Sequence, residues 1–177
     1  TNRKAARGFA AHPRPIVSSK SIQESFSVNN CIKQVFYDLS ERLKQNGIGY
    51  NIKETAQVEL FGDKIQFSQV FYNLVLNSMQ AIFSNGKIYV SISKRRNVAC
   101  ILFSDNGPGI PEENRKKIFE PFFSTKDPTA GNGGEGLGLF VVWNILKMYN
   151  GTIQVNSNFK GGAQFSIKIP MEGDSNE

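Results

Sequence analysis

The sequence predicts an α+β fold, a two-layer α/β sandwich in which a mixed, largely antiparallel sheet packs on three helices. Three segments repeat apolar residues at steps of three and four, which is the period of an amphipathic helix. Short segments with apolar residues at alternate positions lie around them, bounded by turn residues. Because helices are interleaved with paired strands, a sheet covered by a layer of helices is favoured.

The same patterns place the individual elements along the chain. The second predicted helix should turn one apolar face to the core, made of Val70, Phe71, Leu74, Ile82 and Phe83. The dipeptide Asn85-Gly86 favours a hairpin turn. The predicted helices span 31–45, 64–83 and 136–149, with a short one near 112–118, and the strands lie near 50–55, 57–61, 87–93, 97–104, 151–157 and 163–170.

Charge and composition predict one folded domain between two tails. Residues 1–22 are interpreted as a flexible basic leader or linker, 23–172 as the domain and 173–177 as a disordered tail. The net charge of +6 arises mostly in the leader, so a nucleic-acid partner is not expected. No apolar run approaches the roughly 18–20 residues of a membrane-spanning helix. Cys31 and Cys100 lack metal-binding spacing and are expected to be reduced, as in the cytoplasm.

An amide stripe lies on the second predicted helix. Gln66, Gln69, Asn73, Asn77 and Gln80 are spaced by three or four residues and therefore share one face. Carboxamides offer a neutral oxygen to a cation and hydrogen-bond donors to a phosphate. A polar face that only meets solvent explains the pattern equally well.

Two glycine-containing segments are candidate ligand loops. The first, 105–110, follows a predicted strand and reads DNGPGI, and the second, 131–139, opens the third helix and reads GNGGEGLGL. Glycine lets the backbone approach a ligand closely, and a helix N-terminus favours phosphate. The alternatives are a tight turn capped by Asp105 and a flexible linker.

An aromatic segment, 118–126, lies between these loops and reads IFEPFFSTK. Its three phenylalanines must bury against this domain or against a partner. Lys126 follows them and could reach a phosphate, although an ordinary surface lysine is the simpler reading.

These segments, in this order, resemble the ATPase domain of bacterial sensor histidine kinases, in the superfamily shared with gyrase and Hsp90. NLVLNSMQAI resembles the N box, DNGPGI and GEGLGL the glycine boxes, IFEPFFSTK the F box and GGAQFSIKIP the last glycine motif. The sequences of these motifs are most similar to those of nitrogen-regulator-type kinases. The resemblance covers roughly residues 25–170 and implies a Bergerat-type fold that binds ATP with Mg²⁺.

The resemblance also implies roles for individual residues. Asn77 and Asn73 would hold Mg²⁺, Asp105 would accept the adenine amine, and Asn73 and Lys126 would be the catalytic positions. Residues 119–135 would form a lid. Two positions depart from the family, because Gln164 stands where Thr is usual and Gln80 where Lys is common. The remaining implied nucleotide contacts are Gly107, Gly109, Ile110, Thr125, Gly134, Glu135, Gly136, Leu137 and Gly138.

The residue at 73 separates a kinase from a hydrolase. Gyrase-type relatives place a water-activating carboxylate there, whereas Asn73 is an amide, and no acid occurs between Lys64 and Phe83. Transfer of the γ-phosphoryl group is therefore expected, with catalysis by positioning and electrostatics. The resemblance implies a histidine acceptor, but the single histidine, His12, lies in the leader without the acceptor pattern.

The sequence thus predicts the catalytic part of a two-component kinase. Its partners would be an acceptor-histidine dimerisation domain, in the full-length protein or in trans, and a response regulator. The isolated domain would be monomeric. Two alternatives remain open: an anti-sigma-type serine kinase, and a binding module in which ATP orders a partner surface made of Phe119, Phe122 and Phe123.

Overall fold

The fold is a five-stranded sheet with helices packed on one face, seen in a computed structural model that describes residues 22–125, 136–157 and 159–171. This arrangement confirms the predicted fold class. The elements are β1 (Glu24–Ser27), α1 (Val28–Asp38), α2 (Ser40–Gln45), β2 (Ile48–Glu54), β3 (Glu59–Gly62), α3 (Lys64–Ala81), β4 (Gly86–Arg95), β5 (Val98–Asp105), α4 (Gly138–Met148), β6 (Thr152–Val155) and β7 (Gln164–Pro170).

The main sheet has the strand order β2-β4-β5-β7-β6. Strands β2 and β4 pair in parallel, while β4–β5, β5–β7 and β6–β7 are antiparallel, so the sheet is mixed and largely antiparallel as predicted. Strands β1 and β3 form a separate two-stranded antiparallel sheet. Strand β5 is the middle strand of the main sheet, so Asp105 at its end lies between β4 and β7.

Helix α3 lies between α1 and α4 in the helical layer and packs against both. Val70, Phe71 and Leu74 are buried, as the spacing predicted. Asp63 caps the helix by accepting hydrogen bonds from two backbone N–H groups of the first turn, at 2.9 and 3.0 Å. Tyr149, directly after α4, donates its hydroxyl to the Asp63 carbonyl at 3.1 Å, which ties the end of α4 to the start of α3.

The predicted helix over 31–45 is two helices that meet at Leu39. The chain leaves helical geometry there, at φ −94° and ψ 1°. Leu39 and Leu43 lie on either side of the bend and are both 1% exposed, so the bend keeps both in the core. The predicted short helix near 112–118 is likewise two single turns of 3-10 helix, Glu112–Asn114 and Lys117–Phe119.

The end of α3 differs from the prediction in two ways. Ile82 is extended, at φ −85° and ψ 127°, and Phe83 is 93% exposed, so the prediction that Phe83 faces the core is wrong. Asn85-Gly86 does not close a hairpin, because it joins a helix to a strand that pairs in parallel with β2. Asn85 nevertheless adopts a left-handed conformation, at φ 47°.

Both cysteines carry free thiols. Cys31 is buried, and burial raises the pKa of its thiol, whereas Cys100 is half-buried on the sheet. Among the helices that the structure describes, none combines the length and apolar character needed to cross a membrane.

Candidate functional site

A cavity of about 570 Å³ lies between α3, the end of β5 with its following loop, and the start of α4. It brings together ten of the residues singled out from the sequence. They are Asn73, Asn77, Gln80, Asp105, Gly109, Ile110, Thr125, Gly136, Leu137 and Gly138. Three others, Lys126, Gly134 and Glu135, lie outside the described residues.

Asp105 forms the deep end of the cavity and is held by three hydrogen-bond donors. Its side chain is buried, in a residue 5% exposed. Oδ1 accepts from the backbone N–H of Gly107 at 2.9 Å and of Ala163 at 3.3 Å. Oδ2 accepts from the Ser78 hydroxyl at 2.6 Å. The carboxylate is therefore oriented before any ligand arrives.

Gly162 lets the chain pass close beneath this carboxylate. It adopts a φ of +138°, and a β-carbon built there would lie 2.0 Å from the carbonyl oxygen of Asp105. Gly109 has a φ of +79°, and its β-carbon would lie 3.0 Å from the Gly162 carbonyl oxygen. Only glycine fits at 162 without movement of the backbone, and this close approach aligns the N–H of Ala163 with Asp105.

The amides at the opposite end face the start of α4. The Asn73 amide nitrogen donates to the Gly138 carbonyl at 3.3 Å. A β-carbon on Gly138 would lie 3.7 Å from Oδ1 of Asn77, so the Asn77 side chain is within van der Waals distance of the first turn of α4. Leu137, which precedes α4, provides no side-chain cap. Because the first N–H groups of a helix lack intrahelical partners, this end of α4 attracts an anion.

The aromatic segment closes one side of the cavity. Phe119 packs edge-on against Phe165, with ring centroids 6.4 Å apart, and Phe123 lines the cavity. Phe122 is instead 74% exposed, with a φ of 64°. A β-carbon on Gly136 would lie 2.6 Å from the backbone carbon of Phe122, so positions 122 and 136 are in contact beside the cavity.

Two predicted contacts lie outside the cavity lining. The Gly107 backbone supports Asp105 from behind and does not line the cavity. The Gln164 side chain is also absent from the lining, and its Oε1 accepts from Asn156 Nδ2 at 2.6 Å. Strand alternation explains this, because Ala163 and Phe165 share the face toward the cavity while Gln164 points to the other face.

Sequence reasoning missed several lining residues, of which Ser78, Phe83 and Ala163 matter most. Ser78 occurs at a core position of α3, four residues after Leu74. A serine at such a position does not by itself indicate a binding site. Phe83 was assigned to the wrong face because the helix was expected to continue through it. The alternation of Ala163 and Phe165 was the available signal for the cavity-facing side of β7.

The fold and the site together define an ATP-binding domain of the layered α/β type, and comparison with known proteins gives its family. A family model described as "Histidine kinase-, DNA gyrase B-, and HSP90-like ATPase" matches residues 62–173. The chain belongs to this family.

Similar proteins narrow the comparison to histidine kinases. The chain is 34% identical to Sporulation kinase C of Bacillus subtilis (strain 168) over 154 residues, which cover 86% of the chain and 35% of that kinase. The nucleotide-free catalytic domain of histidine kinase ThkA superposes with a TM-score of 0.74 at 29% identity, covering 84% of this chain and 95% of that one.

A second ThkA structure contains the response regulator protein TrrA. It matches with a TM-score of 0.71 at 25% identity, and the match covers 87% of this chain and 43% of that one. The chain spans about a third or less of the length of the curated relatives that it matches.

Proposed function

We propose that this domain binds Mg-ATP and transfers the γ-phosphoryl group to a histidine on an acceptor domain of a two-component kinase. The observation that carries the proposal is one cavity with an oriented carboxylate at its deep end and two asparagines beside a helix N-terminus at the other. That order of groups matches the order of a base and a phosphate chain along one nucleotide.

Asp105 is assigned to the purine base. Its buried carboxylate accepts hydrogen bonds only, and so it suits the exocyclic amine of adenine. Gly109 and Ile110 line the adjacent wall, where an apolar surface can cover the face of the base. We assign the phosphates to Gly136, Leu137 and Gly138, where the first turn of α4 begins.

Asn77, supported by Asn73, is assigned to Mg²⁺. Carboxamide oxygens are hard ligands that suit this ion, and the Asn77 carboxamide lies beside Gly138, where a β-carbon would be 3.7 Å from its oxygen and 3.8 Å from its nitrogen. When bound, the ion would neutralise negative charge on the phosphates. The amide of Asn73 cannot act as a base, and its nitrogen is engaged with α4, so its role is to position. Gln80, Thr125 and, outside the described residues, Lys126, Gly134 and Glu135 complete the proposed contacts.

Two further proposals rest on the similar proteins. A response regulator is the proposed downstream partner, because a similar kinase has been solved with one. A dimerisation domain carrying the histidine is proposed because Sporulation kinase C is about two and a half times as long as this chain. The two free thiols fit a reducing cytoplasm, where we place the domain.

Phosphoryl transfer is tested with the purified chain, ATP labelled at the γ-phosphate and a separately produced acceptor helical hairpin. We expect label on the acceptor that is lost in acid and kept in alkali, as for phosphohistidine. Acid-stable label would instead support the serine-kinase alternative. Nucleotide-dependent binding to the hairpin without any label would support the binding-module alternative.

Replacing Asn77 with alanine is expected to remove most of the magnesium dependence of ATP binding. The loss of a hard oxygen ligand should weaken Mg-ATP by about tenfold while changing metal-free binding little. Titration calorimetry with ATP measures the affinity with Mg²⁺ and the affinity without it. Gln69→Ala is the matched control, because Gln69 is an exposed amide on the same helix that does not line the cavity. Full retention of the magnesium effect would refute the assignment.

A further inference from the structure

The hydroxyl of Ser78 has an unusual partner for a serine inside a helix. Such a hydroxyl commonly bonds to the carbonyl oxygen four residues earlier, as Ser68 does with Lys64 at 2.9 Å in the same helix. Ser78 instead donates to Oδ2 of Asp105, 27 residues away, at 2.6 Å. It is 2% exposed and lines the cavity beside Asp105.

Once the hydrogen bonds around Asp105 are made, Asp105 and Ser78 offer the cavity hydrogen-bond acceptors and no donor. Oδ1 already accepts from the backbone N–H groups of Gly107 and Ala163. The Ser78 hydrogen is committed to Oδ2, so the pair offers a ligand the remaining lone pair of Oδ2 and the lone pairs of the Ser78 oxygen. Neither atom has a hydrogen left to donate.

We propose that Ser78 is a specificity-determining positioning residue that makes the Asp105 site selective for a 6-aminopurine over a 6-oxopurine. This proposal rests on the assignment of Asp105 to the base of ATP. The amine at C6 of adenine donates to the acceptor pair. The oxygen at C6 of hypoxanthine or guanine would face two acceptors and leave them unpaired, which a buried site strongly disfavours.

Ser78 affects the selectivity between the two purines by orienting the carboxylate of Asp105. Its short hydrogen bond holds Oδ2 in one orientation and fixes the direction of the free lone pair. Without the hydroxyl, the bonds to Oδ1 remain but Oδ2 loses its protein donor. A water molecule in the vacated space can then donate one hydrogen to Oδ2 and the other to a 6-oxo group.

The test compares the dissociation constants of ATP and ITP for the wild-type chain, Ser78→Ala and Ser68→Ala, with Mg²⁺ present. ITP differs from ATP only at the C6–N1 edge of the base, where an oxygen replaces the amine and N1 carries a hydrogen. We expect the wild type to prefer ATP and Ser78→Ala to lower the ratio of the ITP constant to the ATP constant by about tenfold. Ser68→Ala, which removes a helical serine that bonds to Lys64 and Cys31 and does not line the cavity, should keep the wild-type ratio.

The ratio separates this role from a structural one. A serine that only stabilises the fold would lower the melting temperature without nucleotide and weaken ATP and ITP equally. An unchanged ratio in Ser78→Ala therefore overturns the specificity role while the proposed function stands. If the wild-type chain binds neither nucleotide, both the proposed function and this inference fail.

Discussion

Replacing Asp105 with asparagine is expected to weaken ATP binding by at least about tenfold and to reverse the preference between ATP and ITP. A hydrogen bond to a charged acceptor contributes about 1.5–3 kcal/mol, which accounts for the loss with ATP. The new amide nitrogen would also point a hydrogen at the adenine amine. The 6-oxo group of ITP accepts that hydrogen, so ITP should bind the variant better than the wild type.

The same substitution should leave the protein folded. The asparagine oxygen can keep the bonds from Gly107 and Ala163, and its nitrogen can donate to the Ser78 oxygen once that hydroxyl turns away. Calorimetric titration gives the affinities, and thermal melting without nucleotide checks the fold. Asp63→Asn is the matched control, since it removes one charge at a helix cap away from the cavity. Unaltered ATP affinity in Asp105→Asn would show that the base binds elsewhere.

Replacing Gly162 with alanine is expected to have the largest effect on stability. The new β-carbon would lie 2.0 Å from the carbonyl oxygen of Asp105 and 2.9 Å from the α-carbon of Asn106, at a φ of +138°. The backbone must separate there. This would weaken the bonds from the Asp105 N–H to the Ala163 oxygen, at 2.9 Å, and from the Ala163 N–H back to Asp105.

The strain and the weakened bonds together should lower the free energy of unfolding by about 2–4 kcal/mol. For a domain of this size, that corresponds to a fall of roughly 4–16 °C in melting temperature. Gly161→Ala is the neighbouring control, because its β-carbon would meet only the far end of the Phe159 ring, at 3.0 Å. Equal melting of the two variants would contradict the close approach at Gly162.

Regular periodicity made the fold predictable from the sequence. Helix α3 was placed almost to its ends, because its apolar spacing runs unbroken from Phe67 to Val75. The bend at Leu39 was invisible, since apolar residues on both sides keep the helical period while the chain turns. The parallel pairing of β2 with β4 depends on contacts distant in sequence, which a local turn signal such as Asn85-Gly86 cannot report.

The site residues that could be predicted are those whose type and local position already indicate ligand binding. Asn73, Asn77 and Asp105 stand out because amides in a stripe and an acid at a strand end are unusual, and all three line the cavity. The partnership of Ser78 with Asp105 was not predictable, because it joins a helix to a strand end 27 residues away. Gln164 does not line the cavity, because the side chains of β7 alternate and Ala163 and Phe165 take the cavity-facing positions.

The hydrogen bond from the Asn73 amide to the Gly138 carbonyl also restricts which side chains the domain tolerates at position 73. A change of Asn73 to aspartate would set an acceptor against that carbonyl oxygen, across a gap now bridged at 3.3 Å. That carbonyl belongs to the backbone and remains an acceptor whatever residue stands at 138, so position 73 favours a side chain that can donate a hydrogen bond.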